Sequence, residues 1–572
     1  MQRPRLSHYA MLIGLLLLLA ATLLYPIWLT VRGGFATDVA TGQGFTLRYI
    51  GLVFRDPVLR DGLLNALALA MVTTALCALI GIPLAMLSAK RSYACKGLWD
   101  AAILVPLILP PFVGAIGLKA ILGRAGALNA LLGTDWDILG TARFWGVAVA
   151  LALHLYPILY LNTTASLANL DHALDEAAET LGSGPIRRFF TITLPLIRPG
   201  LFAGGAIVFI WSFTELGTPL VFDYYQITSV QIFNGVKEMD ASSQPYALTV
   251  VMLVAAVLLY LTGKFALGAG GHAASMRAIR AAETKRLTGA KSLGANAAFA
   301  IVTLLALVPH AGVALVAFAE PNSWYDSVLP RSWTLSNIEQ ALGHPLAFSS
   351  IRNSLLLASV ASLADIFLGV LIGYIIVRTR VRGRTLLDSL TMLPLAVPGL
   401  VMAFGYIALS LRWPFGPGDP LEGAIDIVGA NPNPFPLLIV AYAVRRLPYV
   451  VRATVAGLQQ VSSELEEAAR TFGATPVGAV RKVVVPLILP NLIAGGLLAF
   501  SFAMLEVSDS LMLAQQERHY PITKAIYGFT LRLGDGVAIA SGMGLWGMAL
   551  LTATLVGVSI LLGKKLGAVF RV

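Results

Sequence analysis

Long apolar runs alternate with short polar ones along this chain, and the alternation predicts membrane-crossing helices. The apolar runs are each about 20 residues long, enough for a helix to cross a hydrocarbon core of roughly 30 Å. The pattern places spans near 10–31, 63–89, 101–122, 144–168, 201–221 and 246–267. A second set falls near 296–319, 353–377, 388–411, 435–458, 492–513 and 543–563. The first span follows Arg3 and Arg5 without an A-x-A cleavage site, and it reads as a retained anchor. Pro110, Pro111 and Pro398 lie within spans and read as kinks, with a helix break beside a pathway as the alternative.

The two sets of spans are copies of one another. Residues 176–200 read EAAETLGSGPIRRFFTITLPLIRPG, and residues 467–491 read EAARTFGATPVGAVRKVVVPLILPN. Glu176, Ala177, Ala178, Gly182, Pro185, Pro195 and Pro199 recur as Glu467, Ala468, Ala469, Gly473, Pro476, Pro486 and Pro490. A repeat of this length fixes the architecture as a doubled module. The halves also align at Asn65/Asn353, Gly81/Gly369, Pro106/Pro394, Pro110/Pro398, Pro157/Pro448 and Leu167/Leu458. With six spans in each half the repeats are parallel, and an axis along the membrane normal is expected to relate them.

Each polar insert predicts a short helix, a glycine turn and a second short helix. In the second copy Ser463 and Glu466 have capping-box spacing, and Glu464, Glu466 and Glu467 crowd a first turn where the helix dipole favours acids. Gly473 suits a left-handed C-cap and Pro476 a helix start. In the first copy Asp171 or Asp175 takes the N-terminal role, Gly182 stops the helix and Pro185 restarts it.

Composition agrees with the span pattern: 57% of residues are hydrophobic and only 12% charged. The net charge of +11 raises the question of nucleic acid, and its distribution answers it. Basic residues gather in alternate loops, at Lys90, Arg91 and Lys96, at Arg187, Arg188 and Arg198, and at Arg378, Arg380, Arg382 and Arg384. Arg277, Arg280, Lys285, Arg286 and Lys291 form another group, and Lys564, Lys565 and Arg571 a last one. The opposite loops carry acids such as Asp135, Asp137, Glu238, Asp240, Glu320 and Asp326. This is the positive-inside asymmetry, and it puts both termini and both repeated inserts in the cytoplasm. The glycine-rich basic stretch 268–295 reads as a cytoplasmic linker between modules 1–267 and 296–572.

No phosphate-binding G-x-x-x-x-G-K-[ST] loop occurs, so the chain is not expected to hydrolyse ATP. Zincin, serine-hydrolase and cysteine–histidine metal spacings are also missing, so no catalytic residue and no metal ligand is assigned. Cys77 falls in a span and Cys95 in a cytoplasmic loop, so a disulfide is not expected. The seven histidines are scattered and read as structural.

Charged residues within spans are costly and often functional. Glu215 and Glu506 are equivalent across the repeat, Asp509 lies nearly one turn beyond Glu506, and Arg445 and Arg446 sit in the span before the second insert. Glu215, Glu506, Asp509 and Arg445 are candidates for a translocation pathway. The competing reading has the acids paired with arginine or capping a broken helix. Arg445, which aligns with His154, falls some 15 Å into its span and needs a partner there. Arg452 is expected to reach the surface by snorkelling.

The pattern E-A-A-x-x-x-G, followed by prolines before the next span, resembles the "EAA loop" of binding-protein-dependent ABC importer permeases, and the likeness covers nearly the whole chain. The resemblance implies an all-α polytopic membrane fold of about 12 transmembrane helices, as two parallel six-span repeats of importer-permease (MetI-like) type. Its EAA loops would be 170–200 and 461–491. It implies that Glu176, Ala177, Ala178 and Gly182, with Glu467, Ala468, Ala469 and Gly473, couple to a cytoplasmic ABC ATPase homodimer. That ATPase would hold ATP and Mg, and this chain no cofactor. A periplasmic substrate-binding protein and membrane lipid are the other implied partners, with no nucleic acid, in the inner membrane. Two modules fused in one chain resemble ferric-iron permeases, and less closely those for thiamine or 2-aminoethylphosphonate. An ion-gradient-driven secondary transporter is the alternative of a different class.

Overall fold

The computed structural model describes residues 6–38, 43–139, 143–168, 170, 177–236, 239, 242–267, 285–427 and 432–562. Among these residues twelve helices carry the architecture. In chain order they are α1 (Leu6–Phe35), α2 (Pro57–Lys90), α3 (Pro111–Leu122), α4 (Arg143–Ala168), α5 (Pro185–Phe213) and α6 (Gln244–Leu267). Then follow α7 (Gly289–Phe318), α8 (Pro345–Arg378), α9 (Gly399–Ser410), α10 (Phe435–Gln460), α11 (Pro476–Met504) and α12 (Gly536–Leu562). Among the described residues the only strands are Arg91–Ser92 and Lys285–Arg286, paired in parallel. Most of the stretch 268–295 lies outside the described residues, and α7 starts at Gly289, seven residues before the expected span.

Among the described residues ten helices are long and apolar enough to cross a membrane, and the pair Arg384–Ala396 and α9, bent by 104°, is an eleventh candidate. Helix α10 is 26 residues long but carries Arg445, Arg446 and Arg452. The chain is an all-α polytopic membrane protein with the same order of helices twice. Helices α2 and α8 start and end 288 residues apart, as do α3 and α9. Helices α5 and α11 are 291 apart at both ends.

Prolines do more than kink. Pro110 is extended and Pro111 opens α3, so the expected span 101–122 is split into Lys96–Ala102, a 3-10 turn Val105–Ile108, and α3. Pro398 likewise precedes α9. A proline supplies no N–H and pushes the residue before it out of the helical region, so paired prolines end a helix.

Contacts divide the chain into two compact units. One holds the described residues within Met1–Gly62, Thr228–Leu253 and Thr334–Val569; the other holds those within Leu63–Ile227 and Val254–Trp333. In the first unit Leu12, Leu15 and Leu19 of α1 pack with Ile372 and Ile375 of α8 and with Leu447, Val451 and Val455 of α10. In the second unit Phe299 of α7 stacks with Tyr93 and Trp99 and meets Tyr160 edge-on. The first span of each sequence half therefore packs among helices of the other half. Glycines make these crossings close. A β-carbon at Gly405 of α9 would lie 2.7 Å from the Pro26 carbonyl oxygen of α1, and one at Gly117 of α3 would overlap the Pro309 carbonyl of α7. Small residues at such crossings let backbones approach, and van der Waals packing replaces the hydrophobic drive that lipid does not supply.

Candidate functional site: paired glycine turns and a broken span

The glycine turns of the two polar inserts carry the same backbone hydrogen bonds. In the first, Leu181 N–H donates to Ala177, Gly182 to Glu179 and Ser183 to Ala178; in the second, Phe472 donates to Ala468, Gly473 to Arg470 and Ala474 to Ala469. Gly182 has φ +80° and Gly473 φ +89°, the left-handed C-cap expected of them. Pro185 and Pro476 then restart a helix. That helix is not separate from the next span: it runs through a single π turn, Phe189–Thr193 or Val480–Val484, into the body of α5 or α11. Each knob is thus the glycine-hinged end of a membrane helix.

The individual residues divide. Glu176, Asp171 and Asp175 lie outside the described residues. Ala177 is exposed and Ala178 buried; Glu467 and Ala468 are exposed and Ala469 is half-buried. The N-cap of the Ser463–Thr471 helix is Ser462, whose side chain accepts from Glu464 N–H at 3.2 Å, so the expected capping box from Ser463 does not form. Ser463 is already helical and Glu466 turns inward, where Tyr374 Oη donates to it at 2.8 Å. Sequence reasoning also missed the tips. Leu181 is 88% exposed and Phe472 91%, and Ile186 and Val477 beyond them are exposed as well. A large apolar residue just before the cap glycine in both copies was the available signal.

Each span after a knob breaks at its acidic residue. Helix α5 ends at Phe213 and a short helix Gly217–Val221 follows; α11 ends at Met504 and Ser508–Leu513 follows. Glu215 and Glu506 occupy the two breaks. Glu215 caps the short helix: Thr218 N–H and Oγ1 donate to its Oε1 at 3.0 and 2.9 Å. Glu506 is instead held by arginine. Arg445 Nη1 lies 3.0 Å from Glu506 Oε1 and 3.3 Å from Asp509 Oδ2, while Arg446 pairs with Glu506 Oε2 and donates to the Phe502 carbonyl at 3.1 Å. Glu506 and Asp509 are buried. Gly399 at the head of α9 leaves the space that the Arg445 guanidinium fills. In the first half the equivalent of Arg445 is His154, whose Nδ1 lies 2.8 Å from the Pro106 carbonyl oxygen. Arg452 pairs with Asp388 at 3.5 Å, rather than only extending to the surface.

The structure therefore brings Arg445, Glu506 and Asp509 together with Arg446, and places Glu215 in the matching break with a different partner. Among the described residues no group of three or more His, Cys, Asp or Glu side chains is set to hold a metal ion. The arrangement offers two exposed helix ends and a buried charge cluster at a broken span.

The doubled bundle of membrane helices, with one knob per half, is the architecture of a two-module polytopic membrane protein. Residues 81–269 and 365–564 each match the binding-protein-dependent transport system inner membrane component family, and the chain belongs to that family. Its members are the membrane subunits of ABC importers and are not themselves enzymes, so the gradient-driven alternative falls away. The ferric transport system permease protein FbpB of Actinobacillus pleuropneumoniae is 26% identical over 88% of this chain and 69% of its own length. A probable ABC transporter permease of Sinorhizobium fredii is 28% identical over 70% of each. The molybdenum transport system permease ModB of Escherichia coli K12 is 34% identical, but over 29% of this chain and 74% of its own.

Proposed function

We propose that this permease moves ferric iron inward across the inner membrane, delivered by a periplasmic binding protein and driven by a cytoplasmic ATPase homodimer. The observation that carries the coupling part is the pair of knobs with matching hydrogen bonds, each the end of a membrane helix and each tipped by an exposed apolar side chain. Two equivalent knobs suit a partner with two-fold symmetry. In this reading Gly182 and Gly473 set the turns, Ala177, Ala178, Ala468 and Ala469 keep the docking helices slim, and Glu176 and Glu467 contact the ATPase. The ATPase binds ATP and Mg, and this chain binds no cofactor. Both knobs and both termini face the cytoplasm, as the basic loops favour.

The cargo assignment is supported by relatives named for ferric transport that align over most of the chain, whereas the molybdenum permease aligns over 29% and a sulfate permease over 41%. In this reading the pathway runs beside the breaks at Glu215 and Glu506, since unwound backbone within a membrane needs surrounding protein or a water-filled cavity. Glu506 and Asp509 already share Arg445, so they act as a gate in this state rather than as ligands.

The test is uptake by proteoliposomes holding this chain with its ATPase and binding protein. ATP-dependent accumulation of radioactive ferric iron is the expected result. Accumulation of molybdate or a phosphonate in its place would overturn the cargo and leave the permease assignment standing.

A further inference from the structure

The two knobs share their turn bonds, and the second is also fastened to α8. Glu466, in the first turn of Ser463–Thr471, is buried, and Tyr374 Oη donates to its Oε1 at 2.8 Å. Four residues further along α8, Arg378 Nη2 donates to the Val461 carbonyl at 2.7 Å. Residues four apart share one face of a helix. One face of α8 therefore grips the chain just before the knob and again within its first turn. The His8 ring of α1 meets Tyr374 edge-on, with centroids 6.3 Å apart, and backs the phenol from the other side. In the first half the residue aligned with Tyr374 is Met86, which has no hydroxyl to donate, and Arg378 aligns with Lys90.

We infer that Tyr374 and Glu466 tether the second knob to α8 so that the two move as one body, and that the two halves therefore pass on the ATPase stroke unequally. The inference rests on the coupling role proposed above. Tyr374 and Glu466 are positioning residues: they touch neither cargo nor nucleotide, and the exposed tip at Phe472 stays free for the partner. A stroke delivered to the second knob reaches α8 directly through the tether and α11 along its own helix. At the first knob the corresponding route to α2 lacks the hydroxyl, and α5 carries the movement.

Two measurements test this. The first uses the full-length chain without ATPase, spin-labelled at L181C or F472C in a Cys95→Ser background. The tether requires the label at 472 to be the less mobile of the two, and Tyr374→Phe to free it while leaving the label at 181 unchanged. Equal mobility, or no response to Tyr374→Phe, overturns the tether. The second uses the reconstituted complex with ATPase and binding protein, and reads cargo moved per ATP with ferric iron as probe. Tyr374→Phe and Glu466→Ala are expected to keep ATPase bound at wild-type stoichiometry yet lower the coupling ratio about tenfold, the scale of one lost charge-assisted hydrogen bond. Glu466→Gln, which keeps an acceptor, should retain most of the coupling, and Met86→Leu should change nothing. Wild-type coupling in both Tyr374→Phe and Glu466→Ala overturns unequal transmission. A wild-type chain that retains no ATPase would refute the parent coupling role, while the spin labels would still decide the tether.

Discussion

Replacing the two cap glycines by alanine should weaken ATPase docking without unfolding the protein. Gly182 and Gly473 hold φ of +80° and +89°, and a β-carbon added at either meets nothing within 4 Å. The obstacle is thus the backbone, not crowding. An L-residue in the left-handed region costs about 1–2 kcal/mol. Because the knob surface is exposed, that cost falls on the turn itself. At about 1–2 kcal/mol the equilibrium constant for forming the turn drops roughly 5–30-fold, and affinity for a partner that needs the formed turn drops by up to that factor. Gly184 is the internal control. It lies two residues past the turn, has φ −66°, and also has open space around its Cα. Gly184→Ala should therefore bind as wild type, and asparagine at 182 and 473 should recover part of the loss, since it tolerates the left-handed region. The assay is titration of purified ATPase onto the chain in nanodiscs, with thermal unfolding followed in parallel. Wild-type affinity in the Gly182→Ala, Gly473→Ala double variant would refute the reasoning. So would an equal loss in Gly184→Ala.

Leu181→Asp and Phe472→Asp should each reduce ATPase retention while leaving the melting temperature unchanged, because both side chains are almost fully exposed; a fall in melting temperature would show that the tips pack within the chain. Arg446→Met strips buried Glu506 of one of its two arginine partners and should destabilise by about 1.5–3 kcal/mol in a thermal melt in detergent, since Arg445 remains. Arg452→Met removes a half-exposed pair with Asp388 and should cost about 0–1 kcal/mol, so equal losses in the two variants would contradict the burial argument. Gly117→Ala and Gly405→Ala push a methyl against carbonyls across a helix crossing, a cost of about 1–3 kcal/mol, whereas Gly14→Ala meets open space. A melt that ranks Gly14→Ala with the other two would rule out close crossing as their role.

Much of the fold was legible because its signals are local. A run of apolar residues long enough to cross the bilayer announces a helix wherever it sits, and every expected span contains one. The cap glycines and the prolines that restart each helix act through their own φ and their own missing N–H. Doubling made those signals readable twice. The breaks at Pro110 and Pro398 were harder, since a proline inside a membrane helix either bends or ends it. The outcome depends on whether neighbouring groups satisfy the freed carbonyls. The continuity of each knob with the following span was also missed, because Pro185 and Pro476 look like fresh starts when the π turn behind them is unseen.

The sequence by itself determined a doubled set of membrane helices, the two glycine turns, and the acids at equivalent points after them. Only the tertiary structure decided which partner each charge has. Glu215 and Glu506 align perfectly, yet one caps a short helix through Thr218 and the other is clasped by Arg445 and Arg446. Glu466 and Glu467 are adjacent, yet only Glu466 reaches Tyr374. Neighbours on a helix point about 100° apart. Which of them is buried depends on how α8 lies against the knob, and the crossing of the first spans into the opposite half is decided in the same way. These choices arise from packing between segments far apart in the chain, where no short pattern of residues records them.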